Sequence, residues 1–134
     1  AWGVPAVKRV LFVCVENSNR SQMAEAFARI HGAGRVEALS AGSRPSGRVN
    51  PKAIAAMAEK GYDLTTHTSK GLEPFNGQPV DVAVTMGCGD NCPLVLAERR
   101  LDWQITDPRD LPADQFNTVR DEIEQRVLEL LATL

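Results

Sequence analysis

The sequence predicts an α/β fold, a three-layer sandwich with helices flanking a mostly parallel sheet of about four strands. Three observations predict it. Short apolar runs alternate with helical patterns along the chain, as in successive βαβ units. The apolar run 7–13 is followed, after a short polar loop, by apolar residues at helical spacing. The 134 residues show no internal repeat and no low-complexity tract, and they suffice for one domain, 1–134, with a substantial core.

Each element follows in order. Residues 7–13 (VKRVLFV) read as a buried strand. Residues 21–30 read as a helix with Met23, Ala24, Phe27 and Ile30 on one face. A second strand is expected over 36–41, then a loop over 42–50 rich in Gly, Ser, Pro and Arg. Asn50-Pro51 reads as an N-cap with proline at the first helical position, and that helix runs to about Lys60, with Gly61 ending it. A third strand is expected over 80–85 and a Gly- and Cys-bearing loop over 86–92. Pro93 opens a short helix towards Arg100, and 103–105 forms a short fourth strand. After Asp107-Pro108 a C-terminal helix spans about 113–134, its stripe formed by Phe116, Val119, Ile123, Val127, Leu130 and Leu131.

Composition narrows the function classes. A net charge of −2 argues against non-specific nucleic-acid binding. No apolar run is long enough to span a bilayer and the first residues show no signal-peptide pattern, so a cytoplasmic protein without membrane association is expected. The three cysteines, Cys14, Cys88 and Cys92, are an odd number, which points to reactive thiols in a reducing compartment and not to a disulfide framework. Together with His31 or His67 they could supply four zinc ligands, but the paired spacing of zinc sites is missing, so no metal and no cofactor is expected.

The strongest signal is C-V-E-N-S-N-R-S at 14–21, after a strand and before a helix. The carboxyl end of a strand in an open α/β sheet is where ligands bind. Backbone N–H groups of Val15, Glu16, Asn17, Ser18 and Asn19 can converge on one anion, and the following helix adds its positive end. Arg20 supplies a planar two-pronged donor for a tetrahedral oxyanion. Cys14 at the base of that cradle is placed as a nucleophile, its thiolate favoured by the same field. Ser21 can donate a hydroxyl hydrogen bond to the sulfur, and the Asn17 amide can brace the loop. A buried cysteine with an unrelated arginine nearby is the plainer account of each residue alone. The combination between strand and helix favours the functional one.

These residues resemble the low-molecular-weight protein tyrosine phosphatase fold and, within it, the thiol-dependent, thioredoxin-coupled arsenate reductases. The run R-S-Q-M-A-E-A-F after the loop, the S-A-G segment (40–42), the N-P-x-A helix start, G-Y-D-L-T-x-H-T-S (61–69), the late cysteine pair and the D-P pair carry the resemblance over essentially the whole chain. Two loop positions depart from it: Glu16 stands where many relatives have glycine, and Asn19 where many have a further cysteine. Glu16 is expected to turn away from the anion.

The resemblance implies an arsenate reductase. Cys88 and Cys92 lie four residues apart, with Gly87 and Gly89 loosening the backbone, so the two could bridge after a modest rearrangement. Packing of both as small core residues is the alternative. In the implied relay Cys14 attacks arsenic, Cys88 attacks Cys14, and Cys92 resolves the disulfide. Thioredoxin is the simplest reductant, with a low-molecular-weight thiol and glutaredoxin left open. From the residues alone the general acid is either Asp102 or Asp107, and the resemblance favours Asp107. Arg109 and Asp110 follow it where phosphatase relatives carry aromatics, which counts against an aromatic phosphoester. The resemblance also places Ser40 and Thr68 behind Asn17. Lys70 stands where some reductases of this branch use an acidic residue to bind potassium, so no potassium requirement is expected. His31 and His67 are expected to be structural.

The expected partners are arsenate, with phosphate or sulfate competing, and no nucleic acid. A monomer is expected. A low-molecular-weight phosphatase, with weak phosphatase activity expected in either case, and a non-catalytic arsenite-binding or redox-sensing thiol protein are the alternatives.

Overall fold

The computed structural model describes residues 7–71, 79–86 and 97–134. Four strands, β1 (Lys8–Cys14), β2 (Val36–Gly42), β3 (Val80–Thr85) and β4 (Ala97–Asp102), form one sheet in the order β2-β1-β3-β4, with every neighbouring pair parallel. Helices α1 (Arg20–His31), α2 (Pro51–Ala58) and α3 (Ala113–Leu131) and a 3-10 turn, Leu64–Thr66, complete the described elements. This is the α/β class read from the sequence. No described helix is long and apolar enough to cross a membrane.

β1 lies between β2 and β3 and is buried on both faces from Val10 onward, which explains why its sequence is apolar without interruption from there to Cys14. Its side chains alternate between two clusters. Val10, Phe12 and Cys14 join the larger one with side chains of α1, α2 and α3, among them Phe27, Met57 and Ile123. Leu11 and Val13 join the smaller one with Ala41 and Ala83. Each large apolar side chain sealed there contributes about 1.5–3 kcal/mol relative to leaving it in water.

The helix boundaries have local causes. Asn50 caps α2, its Oδ1 accepting from Lys52 N at 2.9 Å, with Pro51 at the first position. Gly61, at φ 77°, reverses the chain, and Tyr62 N donates back to Met57 O at 3.0 Å and Gly61 N to Ala58 O at 3.0 Å. α3 buries the whole predicted stripe, from Phe116 to Leu131. In α1 the buried face ends at Ala28, and Ile30 is 40% exposed in the last turn instead of completing that face.

The main departure is β4. It occupies 97–102, where a helix towards Arg100 was expected, and 103–105 is not a strand. The expected start of that helix at 93–96 lies outside the described residues. Glu98, Arg99 and Arg100 are exposed, and Trp103 and Ile105 are buried beyond the strand end. β4 is an edge strand whose charges face water, and charged edges discourage further pairing. Its strand state is set by pairing with β3, Val82 against Arg99 and Val84 against Leu101.

This topology positions the site. The chain passes from β1 to β2 on one side, then crosses to β3 on the other. The carboxyl ends of β1 and β3 flank the point where strand order reverses, and open α/β sheets leave a ligand crevice there.

Candidate active site

Cys14 is the last residue of β1 and is buried. The loop after it is held from outside by its carbonyls. Those of Cys14, Val15, Glu16 and Ser18 accept from the backbone N–H groups of Ser43 (3.2 Å), Arg44 (2.8 Å), Ser46 (3.0 Å) and Asn50 (3.1 Å). The 42–50 segment is therefore the outer wall of the loop. In a trans peptide the C=O of one residue and the N–H of the next point in opposite directions. With those carbonyls fixed outward, the amides of Val15, Glu16, Asn17 and Asn19 face inward, and among the described residues none of them has a hydrogen-bond partner. Asn17 makes the turn possible at φ 52°, a left-handed conformation that asparagine tolerates.

The Asn17 side chain fixes the direction of the next bonds. Its Oδ1 accepts from Lys70 N (2.9 Å) and Gln22 Nε2 (3.0 Å), so its Nδ2 donates to Ser21 Oγ (2.7 Å). With that oxygen already accepting, the Ser21 hydroxyl is free to donate to Cys14 Sγ at 2.9 Å, a bond that favours the thiolate.

Arg20, only 7% exposed, is steered by main-chain oxygens. Its Nη1 donates to Met86 O (2.6 Å), just past β3, and to Ile105 O (3.2 Å). Its Nη2 lies 3.8 Å from Asp107 Oδ2. Cys14, Arg20 and Asp107 line a cavity of 190 Å³, together with Val15, Ser18, Asn19, Glu16 and Arg109. Asp102 lies outside it, engaged with Thr85 Oγ1 (2.9 Å) and Gln104 Nε2 (2.8 Å). Glu16 does not turn away from the site. Its carboxylate meets Arg109 Nη1 at 2.9 Å, because the guanidinium two residues after Asp107 offers it a counter-charge. Cys88 and Cys92 lie outside the described residues.

Behind the loop lies a buried polar cluster that the sequence reading saw only in part. Gln22 Nε2 also donates to Asn17 O (3.0 Å) and Thr68 O (2.9 Å), while Gln22 Oε1 faces His67 Nδ1 (2.9 Å). That oxygen only accepts, so Nδ1 carries the proton and Nε2 accepts from the Tyr62 hydroxyl at 2.6 Å. Burial holds His67 below the usual imidazole range, opposed by nearby Glu25. Ser40 Oγ donates to Glu25 Oε1 (2.6 Å), and Lys70 Nζ reaches Ser40 Oγ (3.3 Å), Thr68 O (3.2 Å) and Glu25 Oε1 (3.7 Å). Burial also lowers Lys70 from the ordinary lysine range. The ammonium occupies the oxygens a potassium ion would need, so these residues do not fit that ion. Nothing in the sequence singled out Gln22 and Glu25, which are buried with the rest of the first turns of α1.

A buried cysteine that shares one cavity with an arginine, an aspartate and a loop of inward amides makes a candidate thiol-based oxyanion site at the switch point of a parallel sheet. The sequence profile of the low molecular weight phosphotyrosine protein phosphatase family matches residues 9–134, and the chain belongs to that family. It is 44% identical over 131 residues to the glutaredoxin arsenate reductase of a Synechocystis species, across 96% of this chain and 99% of that protein. A solved arsenate reductase in its phosphate-binding state superposes with a TM-score of 0.87 at 43% identity, covering 95% of this chain and 98% of the other. A thioredoxin-dependent arsenate reductase of Corynebacterium glutamicum gives a TM-score of 0.79 at 32% identity, across 95% of this chain and 61% of that one.

Proposed function

We propose that this chain reduces arsenate to arsenite through Cys14, Cys88 and Cys92. The observation that carries the reading is that the loop with its inward amides and Arg20 line one cavity with Cys14, as a cradle for a tetrahedral oxyanion would. Similarity across nearly the full chain to proteins named arsenate reductases supports the substrate. In the proposed reaction the Cys14 thiolate attacks arsenic, and Asp107 protonates the departing oxygen, which leaves as water. Cys88 thiolate then attacks Cys14 sulfur. The S–S bond forms, the As–S bond breaks, and its electron pair stays on arsenic, which departs as arsenite. Cys92 attacks Cys88, freeing Cys14 and leaving a Cys88–Cys92 disulfide for an external dithiol. Thioredoxin suits that intramolecular disulfide. Glutaredoxin is the second candidate, since the Synechocystis relative is named for it.

The test is arsenate-dependent NADPH oxidation with thioredoxin and its reductase, run beside glutathione with glutaredoxin and beside hydrolysis of a chromogenic aryl phosphate. Cys88→Ser and Cys92→Ser should abolish arsenate turnover and spare aryl phosphate hydrolysis, while Cys14→Ser abolishes both. Arsenate reduction at the wild-type rate in both resolving-cysteine variants defeats the relay. The second reading, a phosphatase, is favoured by Cys14, Arg20 and Asp107 sharing one cavity, because phosphoester hydrolysis needs no further thiol. Weak hydrolysis is expected from that geometry. Strong hydrolysis with no arsenate reduction would select this second reading.

A further inference from the structure

Glu16 and Arg109 are 93 residues apart in sequence and meet at the cavity that holds Cys14. Both line it, and both side chains remain partly open to solvent, 34% and 51%, so they stand where the cavity meets water. Each end is anchored through its own backbone. Glu16 O accepts from Ser46 N (3.0 Å) and Ser69 Oγ (2.9 Å). Arg109 O accepts from Lys52 Nζ of α2 (3.0 Å), and the same ammonium reaches Leu111 O (3.4 Å). Arg109 N in turn donates to Asp107 Oδ1 (3.1 Å). The side chains thus bridge two fixed loops, one carrying the anion-facing amides and the other the aspartate.

We propose that the Glu16–Arg109 ion pair is a specificity latch across the rim of the Cys14 cavity, favouring free tetrahedral oxyanions over organic phosphoesters and phosphonates. A free oxyanion lies wholly below the rim. An organic group attached to it must pass where the two side chains meet, and so must displace them. The pairing also settles a charge conflict: an unpaired Glu16 would repel an incoming anion, and an unpaired Arg109 would attract any anion without regard to its size. An exposed ion pair is weak, so the latch opens readily and its selectivity is modest, about two- to five-fold.

The proposal rests on the reading of this cavity as an oxyanion site, and it is independent of arsenate as the substrate. The experiment measures protection of Cys14 from iodoacetamide, followed by mass spectrometry of the Cys14 peptide, with inorganic phosphate and phenylphosphonate as probes. Glu16→Gln should tighten both probes, since it removes the nearer of the carboxylates paired with Arg109 and leaves Asp110 at 4.0 Å, and Arg109→Gln should weaken both, since it leaves Glu16 without its guanidinium. The ratio of phenylphosphonate to phosphate affinity should nevertheless rise in both variants, by about two- to five-fold. The double variant should show the same ratio as either single one, because a latch can be opened only once. Ratios unchanged in every variant, or single-variant shifts that add in the double one, overturn the latch. Failure of phosphate to protect Cys14 in the unmodified protein would overturn the oxyanion site itself, a result separable from the first.

Discussion

Glu25 is 3% exposed, and a carboxylate carried that far from water destabilises a fold unless hydrogen bonds and positive charge compensate it. In this chain the compensation comes from Ser40, from Arg29 at 3.0 Å and from the Lys70 ammonium. Lys70 also places its backbone N–H on Asn17 Oδ1, so the residue that balances the buried charge helps hold the anion-binding loop. Three outcomes follow. Arsenate reduction should be unchanged when potassium chloride replaces sodium chloride at constant ionic strength, and a many-fold rise would show that Lys70 does not substitute for a cation. Lys70→Ala should lose about 1–3 kcal/mol of stability in urea unfolding, because Glu25 then lacks its ammonium partner. Lys70→Asp places a second carboxylate beside Glu25, and potassium should then restore part of its activity.

At the scale of elements, the loop between β1 and α1 was legible because its determinants are local: a strand, a nucleophile, an arginine six positions on and a helix start lie within one short stretch. The same holds for α2, whose cap and terminating glycine act within a few residues. β4 was not legible. A charged segment acquires strand geometry there by pairing with β3, a contact that spacing along the chain does not encode. The Glu16–Arg109 pair was hidden for the same reason, and Asp107 could be separated from Asp102 only by resemblance. Close approach between elements also makes a testable demand. Gly42 ends β2 against the anion loop, and a Cβ there would lie 2.5 Å from Val15 O and 2.9 Å from Asn17 N. Both neighbours are backbone, so the loop must shift. Gly42→Ala should lower phosphate protection of Cys14 and aryl phosphate hydrolysis by about tenfold or more, since small misplacements of a catalytic loop cost rate steeply. The loss of stability should be only about 1–3 kcal/mol. Unaltered protection would mean that the loop tolerates displacement and that the outer wall does not set its shape.

For the molecule as a whole, the buried polar cluster couples stability to pH in a window of its own. His67 is held neutral by burial, with Nδ1–H on Gln22 and Nε2 accepting from Tyr62, and its folded pKa lies below 6.5. The unfolded chain binds that proton near 6.5. Between the two values the unfolded state holds more protons, so stability falls as pH drops below 6.5 and is unaffected by this group above it. Glu124 acts in a separate window. Burial pushes its carboxyl up, but hydrogen bonds from His31 and Lys60 outweigh this and hold it below 4.5, so its contribution is lost only at more acid pH. A thermal unfolding series from about pH 8 to about pH 5 should therefore show a decline in Tm beginning near neutrality. Its size reports the stability this group loses, since about 1 kcal/mol moves Tm by roughly 3–5 °C in a domain of this size. His67→Gln keeps a polar group against Gln22 and Tyr62 but cannot take up the proton. It should start from a lower Tm and flatten the slope over that interval while leaving the steeper acid limb in place. A slope identical to that of the unmodified protein would mean that the proton taken up on unfolding belongs to another group, and that His67 contributes shape to the cluster without contributing charge.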